Sequence, residues 1–244
     1  MGTVITITSG KGGTGKTSIT GGVASWLALM GRSVLCIDMD IGLRNLDISL
    51  GLNDRALMDF SDVALGRCPL ARAAVEHPEL KGLWLLTSPM SLPPSLTLEK
   101  MRAVLDTART MYDYILIDSP AGLGAGFRLA ACGADRALVV STNDASSLRD
   151  AQRTVAELDH LRQIHLVMNR IQTKLLRKLR TTIDDAMDAA GLPLIGVVPE
   201  DPQVILCANL GLPLTTRGPK GAALACRNIA HRLEGNRVPI MRIR

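Results

Sequence analysis

Residues 10–17 read Gly10-Lys11-Gly12-Gly13-Thr14-Gly15-Lys16-Thr17 and match the spacing G-x-x-x-x-G-K-[ST]. They follow a β-branched run over residues 3–8 and precede a predicted helix over residues 16–31. Glycines let the backbone wrap an anion with its N–H groups, and a helix N-terminus adds the positive end of a dipole. We therefore predict a phosphate-binding loop formed by Gly10, Lys11, Gly12, Gly13, Thr14, Gly15, Lys16, Thr17 and Ser18.

Two side chains of this loop suit nucleotide chemistry. Lys16 can bridge the β- and γ-phosphates of a nucleoside triphosphate, and the Thr17 hydroxyl can ligate Mg²⁺. The alternative is a glycine-rich turn that binds nothing, which the flanking strand and helix argue against.

Short apolar runs alternate with helical patterns along the chain. Strands are predicted over residues 3–8, 33–38, 83–87, 113–118, 136–142, 164–168 and 194–198, and helices over residues 16–31, 97–110, 147–160, 173–190 and 219–234. This alternation predicts an α/β fold, doubly wound, with a mostly parallel β-sheet flanked by helices. We expect one domain over residues 1–235 and a short basic tail over residues 236–244.

Composition and charge narrow the classes of function. A hydrophobic content of 47% excludes disorder, and an aromatic content of 2% argues against a surface that stacks RNA bases. Residues 1–150 carry 14 basic and 15 acidic side chains, whereas residues 151–244 carry 14 and 8, so the whole excess of +6 lies in the last part. Nucleic acid, anionic lipid and nucleotide phosphates all remain open as partners of that charge.

Five scattered cysteines without a C-x-x-C pair suit reduced thiols in a cytosolic protein. No apolar run reaches the ~18 residues of a transmembrane helix, and we expect no secretion signal. The expected location is cytoplasmic, with peripheral placement on the inner face of the cell membrane as the second possibility.

The loop carries a second lysine, Lys11, near its start. It resembles the deviant Walker A motif, K-G-G-x-G-K-[ST], of the MinD/ParA family of ATPases. The resemblance implies a P-loop NTPase fold of the SIMIBI type, with ATP as the nucleotide. It also implies that Lys11 crosses a homodimer interface to the partner's phosphates, so that Lys11 and Lys16 are both catalytic. The alternative for Lys11 is a surface lysine.

Two later segments resemble the same family. Residues 37–47, which include Asp38-Met39-Asp40 and Leu43-Arg44-Asn45-Leu46-Asp47, resemble switch I of its MinD members, and residues 114–122 resemble the Walker B strand and switch II. Chemically, Asp40 can orient the attacking water and Asp118 can hold the hydration shell of Mg²⁺. The resemblance adds Asp38, so the predicted magnesium surroundings are Thr17, Asp38, Asp40 and Asp118. Asp47 is either a catalytic group or a loop and capping carboxylate.

A base-binding site is implied farther along. Asn169-Arg170 follows a predicted strand, and in the family an Asn at this point bonds adenine through its amide, which offers both a donor and an acceptor. Pro199-Glu200-Asp201 resembles the loop that closes over the base from the other side.

Residues 142–150 resemble the loop and helix start near the dimer interface, where partner binding is communicated. By that resemblance Asp150, together with Asn45 of the switch segment, couples the site to a partner. The alternative for Asp150 is a first-turn acid that favours the helix dipole.

The resemblance implies a Mg²⁺-dependent ATPase that hydrolyses ATP to ADP and phosphate and forms a homodimer with ATP. Expected partners are a MinC-like inhibitor and a MinE-like activator or other topological factor, and the expected role is placement of the division septum. The switch I residues favour MinD over the alternative, a ParA-like partition ATPase that binds nonspecific DNA, so DNA is the less favoured partner.

Two basic segments bear on the choice between membrane and DNA. Family members usually end in an amphipathic membrane helix, but the five residues after Pro239 make only ~1.4 turns, so we expect a truncated anchor. The tail is either a weak anchor on an anionic membrane or a frayed end. Over residues 170–180 we expect an apolar stripe of Ile171, Leu175 and Leu179 to face the domain, with Lys174, Arg177, Lys178 and Arg180 facing outward. These outward charges form either a solvated helix face or a surface for DNA or membrane phosphates.

Overall fold

A single eight-stranded sheet organises the protein, which is seen here in a computed structural model that describes residues 1–53 and 55–241. The strand order is β3-β4-β2-β5-β1-β6-β7-β8, and every neighbouring pair is parallel except β3 with β4. The strands are β1 (Thr3–Thr8), β2 (Val34–Asp38), β3 (Val75–Glu76), β4 (Leu83–Leu86), β5 (Tyr114–Asp118), β6 (Arg136–Ser141), β7 (Gln163–Ile171) and β8 (Leu194–Pro199).

Helices cover both faces of the sheet. One face packs against α1, α2 and α11, and the other against α3 to α7 and α9. The helices are α1 (Lys16–Leu29), α2 (Leu46–Leu50), α3 (Phe60–Ala64), α4 (Leu70–Ala73), α5 (Leu98–Met111), α6 (Ala125–Ala131), α7 (Ala145–Ala156), α8 (Thr173–Leu179), α9 (Ile183–Ala190), α10 (Pro202–Asn209) and α11 (Gly221–Leu233), with a 3-10 helix at Leu214–Arg217. The predicted doubly wound α/β class is confirmed.

The central strands are buried on both faces, as their continuous apolar runs predicted. All five residues of β2 and of β5 are buried, because helices lie on either side of them. After β1 the chain adds β2 on one side of β1 in the sheet, and later it adds β6 on the other side. The direction of winding therefore reverses at β1. In such sheets ligands bind outside the carboxyl ends of the strands at this point, which is where the glycine-rich loop follows β1.

The helix predicted over residues 173–190 is wrong as a single element. Arg180 adopts a left-handed conformation with φ of +53°, which ends α8, and Thr182 then caps α9 by accepting a hydrogen bond from Asp185 N. The predicted apolar stripe is wrong as well: Ile171 lies in β7 and is buried, but the side chains of Leu175 and Leu179 are exposed. Helix α8 therefore lies on the surface with no buried residue.

The tail has no helix or strand over residues 236–241. The guanidinium of Arg232 donates to the carbonyl oxygens of Val238, at 2.9 and 3.1 Å, and of Pro239, at 2.6 Å, so this segment is held against α11. The remainder of the predicted tail, residues 242–244, lies outside the described residues. Among the helices that the structure describes, none is long and apolar enough to span a bilayer.

Candidate functional site

The glycine-rich loop joins β1 to α1 and encloses the ammonium group of Lys16. Lys16 is buried, and its Nζ donates to Ser9 Oγ at 3.1 Å. The same hydroxyl donates to the carbonyl oxygen of Lys11 at 2.7 Å, so Ser9 ties both ends of the loop together. Burial lowers the pKa of Lys16, against the opposing charges of Asp118 and Asp40. A buried ammonium group that has lost most of its contact with water is suited to bind a phosphate.

Gly15 is required for two reasons. Its φ of +90° is a left-handed conformation that favours glycine, and a Cβ there would collide with the side-chain amide of Asn169. That amide donates from Nδ2 to Thr14 O at 2.8 Å, which fixes the end of β7 against the loop. Its Oδ1 and second N–H are left for other partners.

Lys11 points in a different direction from Lys16. Its Nζ donates to Ser146 Oγ at 2.8 Å and to Asp144 Oδ1 at 3.3 Å, both at the start of α7. Partial burial opposes the charge of Asp144, but hydrogen bonds from Ser146, Thr142, Ser147 and Lys11 outweigh it and hold the pKa of Asp144 well below its usual range. Lys11 is therefore held by α7 at the molecular surface and not among its own loop's N–H groups.

Asp118 ends β5 directly below the loop and is fully buried. Its carboxylate accepts from Thr17 Oγ1 at 2.7 Å and from Thr20 Oγ1 at 3.3 Å. Burial raises the pKa of Asp118 to about 7, with the hydrogen bond from Thr17 opposing and the charge of Asp38 adding to the rise. This carboxylate lacks a full countercharge in the chain itself, so a cation placed beside it would stabilise its ionised form.

Asp38 ends β2 and holds the segment that follows. Its Oδ1 accepts from Asp40 N at 2.8 Å and its Oδ2 from Leu46 N at 3.1 Å. Burial raises the pKa of Asp38 to about 6, against these two backbone hydrogen bonds. Both carboxylate oxygens are thus occupied by the backbone of residues 40–46, so Asp38 positions that segment.

The residues fit Mg²⁺ as a P-loop protein would bind it. Within the described parts of the chain, no three Asp, Glu, His or Cys side chains form a metal cluster of their own. Mg²⁺ in such sites uses one or two protein oxygens, with water and substrate phosphate completing the octahedron. Thr17 Oγ1 and the buried carboxylate of Asp118 lie together and provide such a pair.

Asp40 lies one strand over, beyond the end of β2. Its charge is close enough to raise the pKa of Lys16, and its carbonyl oxygen accepts from Ser88 Oγ at 3.1 Å. The structure thus brings Lys16, Thr17, Asp38, Asp40 and Asp118 to one edge of the sheet.

A cavity of about 190 Å³ opens beside the loop at the carboxyl ends of β7 and β8. Its walls include apolar side chains of α10 and α11, which suit the face of a base. All five residues predicted to bind adenine line it: Asn169, Arg170, Pro199, Glu200 and Asp201.

Besides Asn169, three of these five side chains have partners within the protein. Asp201 accepts from Gln203 N at 2.9 Å and from Ala222 N at 2.9 Å, so it caps α10 and anchors the start of α11. Arg170, with φ of +56°, donates to Glu200 Oε1 at 3.3 Å across the cavity mouth. Asp201 therefore shapes the cavity wall, and the Arg170–Glu200 pair borders its opening.

The two predicted coupling residues lie on opposite sides of the loop. Asp150, on α7, packs its backbone so closely on Gly10 that a Cβ at Gly10 would overlap the carbonyl of Asp150. Asn45 is exposed before α2 and lines a second cavity, of about 230 Å³, together with Thr17 and Ser18. Each therefore lies against or close to the phosphate loop.

Sequence reasoning missed four polar residues of this site. Ser9 binds Lys16, Thr20 binds Asp118, and Asp144 and Ser146 hold Lys11. Thr20 could have been found, since it lies one turn after Lys16 on the face that meets β5. Nothing local in the sequence indicates the Lys11 partners, because they lie 133 and 135 residues away.

Fold and site together define a P-loop nucleotide-binding protein. The sequence of residues 5–214 matches the family model of the CobQ/CobB/MinD/ParA nucleotide binding domain. The chain is 37% identical over 246 residues to the septum site-determining protein MinD of Synechocystis, which covers 99% of this chain and 92% of the relative. The chain therefore belongs to the MinD group of the MinD/ParA family of ATPases, as its motifs indicated.

Solved structures agree with this assignment. The MinC:MinD cell division protein complex of Aquifex aeolicus superposes with a TM-score of 0.92 at 38% identity and covers 98% of both chains. The MinD of Pyrococcus horikoshii complexed with Mg-ADP superposes with a TM-score of 0.83 at 30% identity and covers 96% of both chains.

Proposed function

We propose that this chain is an ATP-dependent dimerisation switch that takes part in placing the division septum. It binds ATP with Mg²⁺, forms a homodimer around the nucleotides, and returns to monomers when ATP is hydrolysed to ADP and phosphate. The septum site-determining proteins that share 37% of its sequence over nearly its full length support this role.

One observation carries the proposal: the two lysines of the loop are held apart. Lys16 is buried and bound to Ser9 inside the loop, whereas Lys11 is bound at the surface to α7. A single loop thus presents one cation to its own phosphates and one outward. An outward lysine beside a phosphate site is suited to reach the nucleotide of a second copy, which makes dimerisation depend on the nucleotide.

The chemistry follows from where each side chain lies. Lys16 neutralises charge on the β- and γ-phosphates, and backbone N–H groups of residues 10–17 receive the phosphate oxygens. Thr17 and Asp118 would hold Mg²⁺, which would supply further neutralisation of the phosphate charge. Asp40 orients the attacking water and accepts its proton, and Asp38 positions Asp40 through the backbone N–H of that residue.

The base and the partners complete the proposal. Asn169 reads adenine through its free Oδ1 and N–H, and Glu200 with Arg170 closes the cavity over the base. The Aquifex aeolicus structure is a complex of MinD with MinC; for this chain we propose a MinC-like inhibitor and a MinE-like activator. Asn45 and Asp150, which flank the loop, would report its state to them.

Light scattering after size exclusion tests the proposal. With Mg-ATP the wild type should elute as a dimer and Lys11→Ala as a monomer that still binds nucleotide, because the ammonium group of Lys11 is bound to α7 and not inside the loop. Asp40→Ala should accumulate the dimer, since dimerisation precedes hydrolysis. Lys81→Ala removes an exposed lysine elsewhere and serves as the control. If Lys11→Ala dimerises like the wild type, the cross-dimer role is wrong.

A second candidate function, nonspecific DNA binding as in ParA-like partition ATPases, is favoured by helix α8. This helix has no buried residue and carries Lys174, Arg177 and Lys178 on the surface. Duplex binding through it would fall steeply with salt, and Lys178→Glu would weaken it much more than Arg72→Glu on α4. Absence of duplex retardation at low salt would remove this candidate.

A further inference from the structure

A cavity of about 450 Å³ lies at the edge of the sheet opposite to the phosphate loop. It is formed by the amino ends of β6, β7 and β8 together with the end of α11. Strands of six residues separate it from the loop by roughly 15–20 Å. The cavity is therefore distinct from the nucleotide site, and its size suits a small ligand.

The charged groups that line this cavity are all basic. Arg136 begins β6, Arg162 precedes β7, His165 lies in β7 and Arg232 lies near the end of α11. No Asp or Glu is among the lining residues. In the paired register of the sheet, Arg136 is opposite Gln163 and Leu138 is opposite His165, so these side chains share the face that α11 covers.

The three guanidinium groups have no carboxylate partner within residues 1–53 and 55–241. None of the ion pairs among the described residues involves Arg136, Arg162 or Arg232. Arg136 donates to Leu233 O at 3.2 Å and Arg232 to Ile195 O at 2.7 Å, so both are held by backbone carbonyls beside the cavity.

The carboxylates nearest in sequence to Arg136 and Arg232 have other partners. Asp135 precedes Arg136 but accepts from Arg109 and from Val4 N. Glu234 follows the end of α11 but accepts from Tyr114 Oη and pairs with Arg32. Uncompensated cations that are gathered around a cavity create a positive potential that attracts an anion.

We infer that this cavity is a binding site for a phosphate-bearing anion, held by Arg136 and Arg162, with the positive charge of Arg232 beside them. Guanidinium groups match phosphate oxygens in pairs of N–H···O bonds, and Arg136 and Arg162 keep most of their donors free. Arg232 closes the cavity on the side of the tail, where it holds Val238 and Pro239. The proposal is independent of the nucleotide loop.

The histidine in the cavity provides a local readout. Burial lowers the pKa of His165, and the charge of Arg136 lowers it further. An anion beside Arg136 would offset that charge, so the imidazole signal of His165 should move and its pKa should rise when the anion binds.

NMR titration of histidine-labelled protein with inorganic phosphate tests the inference, at constant ionic strength in chloride and with the His165 signal assigned from His165→Gln. The wild type should give a saturable shift of His165, and Lys16→Ala should give the same shift, which excludes transmission from the nucleotide loop. Arg162→Gln should weaken binding about tenfold, because it removes one charge-assisted pair from an exposed position. Arg72→Gln, an exposed arginine on α4, should leave binding unchanged.

A parallel titration with soluble dihexanoyl phosphatidylglycerol distinguishes the source of the phosphate. Binding of inorganic phosphate alone assigns the site to small phosphate compounds, and binding of the lipid assigns it to a headgroup. If neither ligand gives a saturable shift of His165, or if Arg162→Gln binds as tightly as the wild type, the inference is overturned.

Discussion

Asp118 is an acidic residue in surroundings that disfavour its charge. It is fully buried, and only two threonine hydroxyls and the nearby Lys16 oppose the cost of its ionised form. In the chain without metal or nucleotide, this carboxylate is therefore a source of instability at neutral pH. A divalent cation placed beside Asp118 would remove this cost.

The effect of pH on Asp118 has a definite sign. Its pKa in the folded chain is raised to about 7 from an ordinary value of 3.8, so folding takes up a proton between these values. The stability it contributes is fully present below pH 3.8 and is lost as the pH rises through about 7. In EDTA and without nucleotide, the free energy of unfolding of Asp118→Asn should exceed that of the wild type by on the order of 2 kcal/mol at pH 8. The difference should be smaller at pH 5, where Asp118 is protonated in the folded wild type.

Urea unfolding from pH 5 to pH 8 checks this expectation. Asp106→Asn on the exposed side of α5 is the matched control and should follow the wild type. Parallel pH curves for the wild type and Asp118→Asn would contradict the assigned environment of Asp118.

At the residue scale, the sequence predicted positions well where the spacing of a motif determines its geometry. The spacing of residues 10–17 and the carboxylates at strand ends placed Lys16, Thr17 and Asp118 together, as the structure has them. It failed for partners that only the folded sheet brings together. The contact of Lys11 with Asp144 spans 133 residues and rests on the order of β1 and β6, which no local pattern encodes.

Among the elements, the pair α8 and α9 is joined by a turn with an unfavourable backbone conformation. The two helices are joined through Arg180, which holds a left-handed conformation that a side chain with a Cβ adopts at a cost. Helix α9 ends on Gly191 with φ of +66°, where glycine is the favoured residue. The same turn geometry is thus occupied once by a strained residue and once by an unstrained one.

Opposite substitutions at these two positions should have opposite effects on stability. Arg180→Gly should stabilise the protein by about 0.5–1 kcal/mol, and Gly191→Ala should destabilise it by about 1 kcal/mol. No atom lies within 4 Å of a Cβ built on Gly191, so its cost comes from the backbone alone. Chemical denaturation of both variants measures the two changes in the free energy of unfolding. Changes of the same sign would contradict the assigned turns.

The prediction of helix bounds failed where two adjacent helices have the same spacing of apolar residues. Residues 173–190 carry helical spacing on both sides of Arg180, so the break is visible only in the capping pattern of Thr182 with Asp185. The short helices α2, α3 and α4 are four or five residues long, too short for a periodic signal to stand out. Strand β3 has two residues and pairs antiparallel with β4, which propensity does not foresee.

The molecule as a whole should be stabilised by its nucleotide. A ligand that binds only the folded state at ~100 times its Kd adds about 2.7 kcal/mol, which for a chain of this size raises Tm by roughly 5–10 °C. Wild type with Mg-ADP should show this shift in differential scanning fluorimetry. Lys16→Ala should lose most of it, because Lys16 is the cation enclosed by the loop.

Lys11→Ala is the matched control within the same loop. Its ammonium group is bound to Ser146 and Asp144 outside the loop, so this variant should keep the full thermal shift with Mg-ADP. A loss equal to that of Lys16→Ala would mean that both lysines serve one nucleotide.

The close packing of Gly10 on Asp150 has a mechanical consequence for the whole molecule. The phosphate loop and α7 pack so closely at this point that a Cβ on Gly10 would overlap the carbonyl group and the Cβ of Asp150. A displacement of α7 would therefore move the phosphate loop with it. Binding affinities are coupled reciprocally. A partner that binds α7 more tightly in one nucleotide state would raise the affinity for that nucleotide by the same factor.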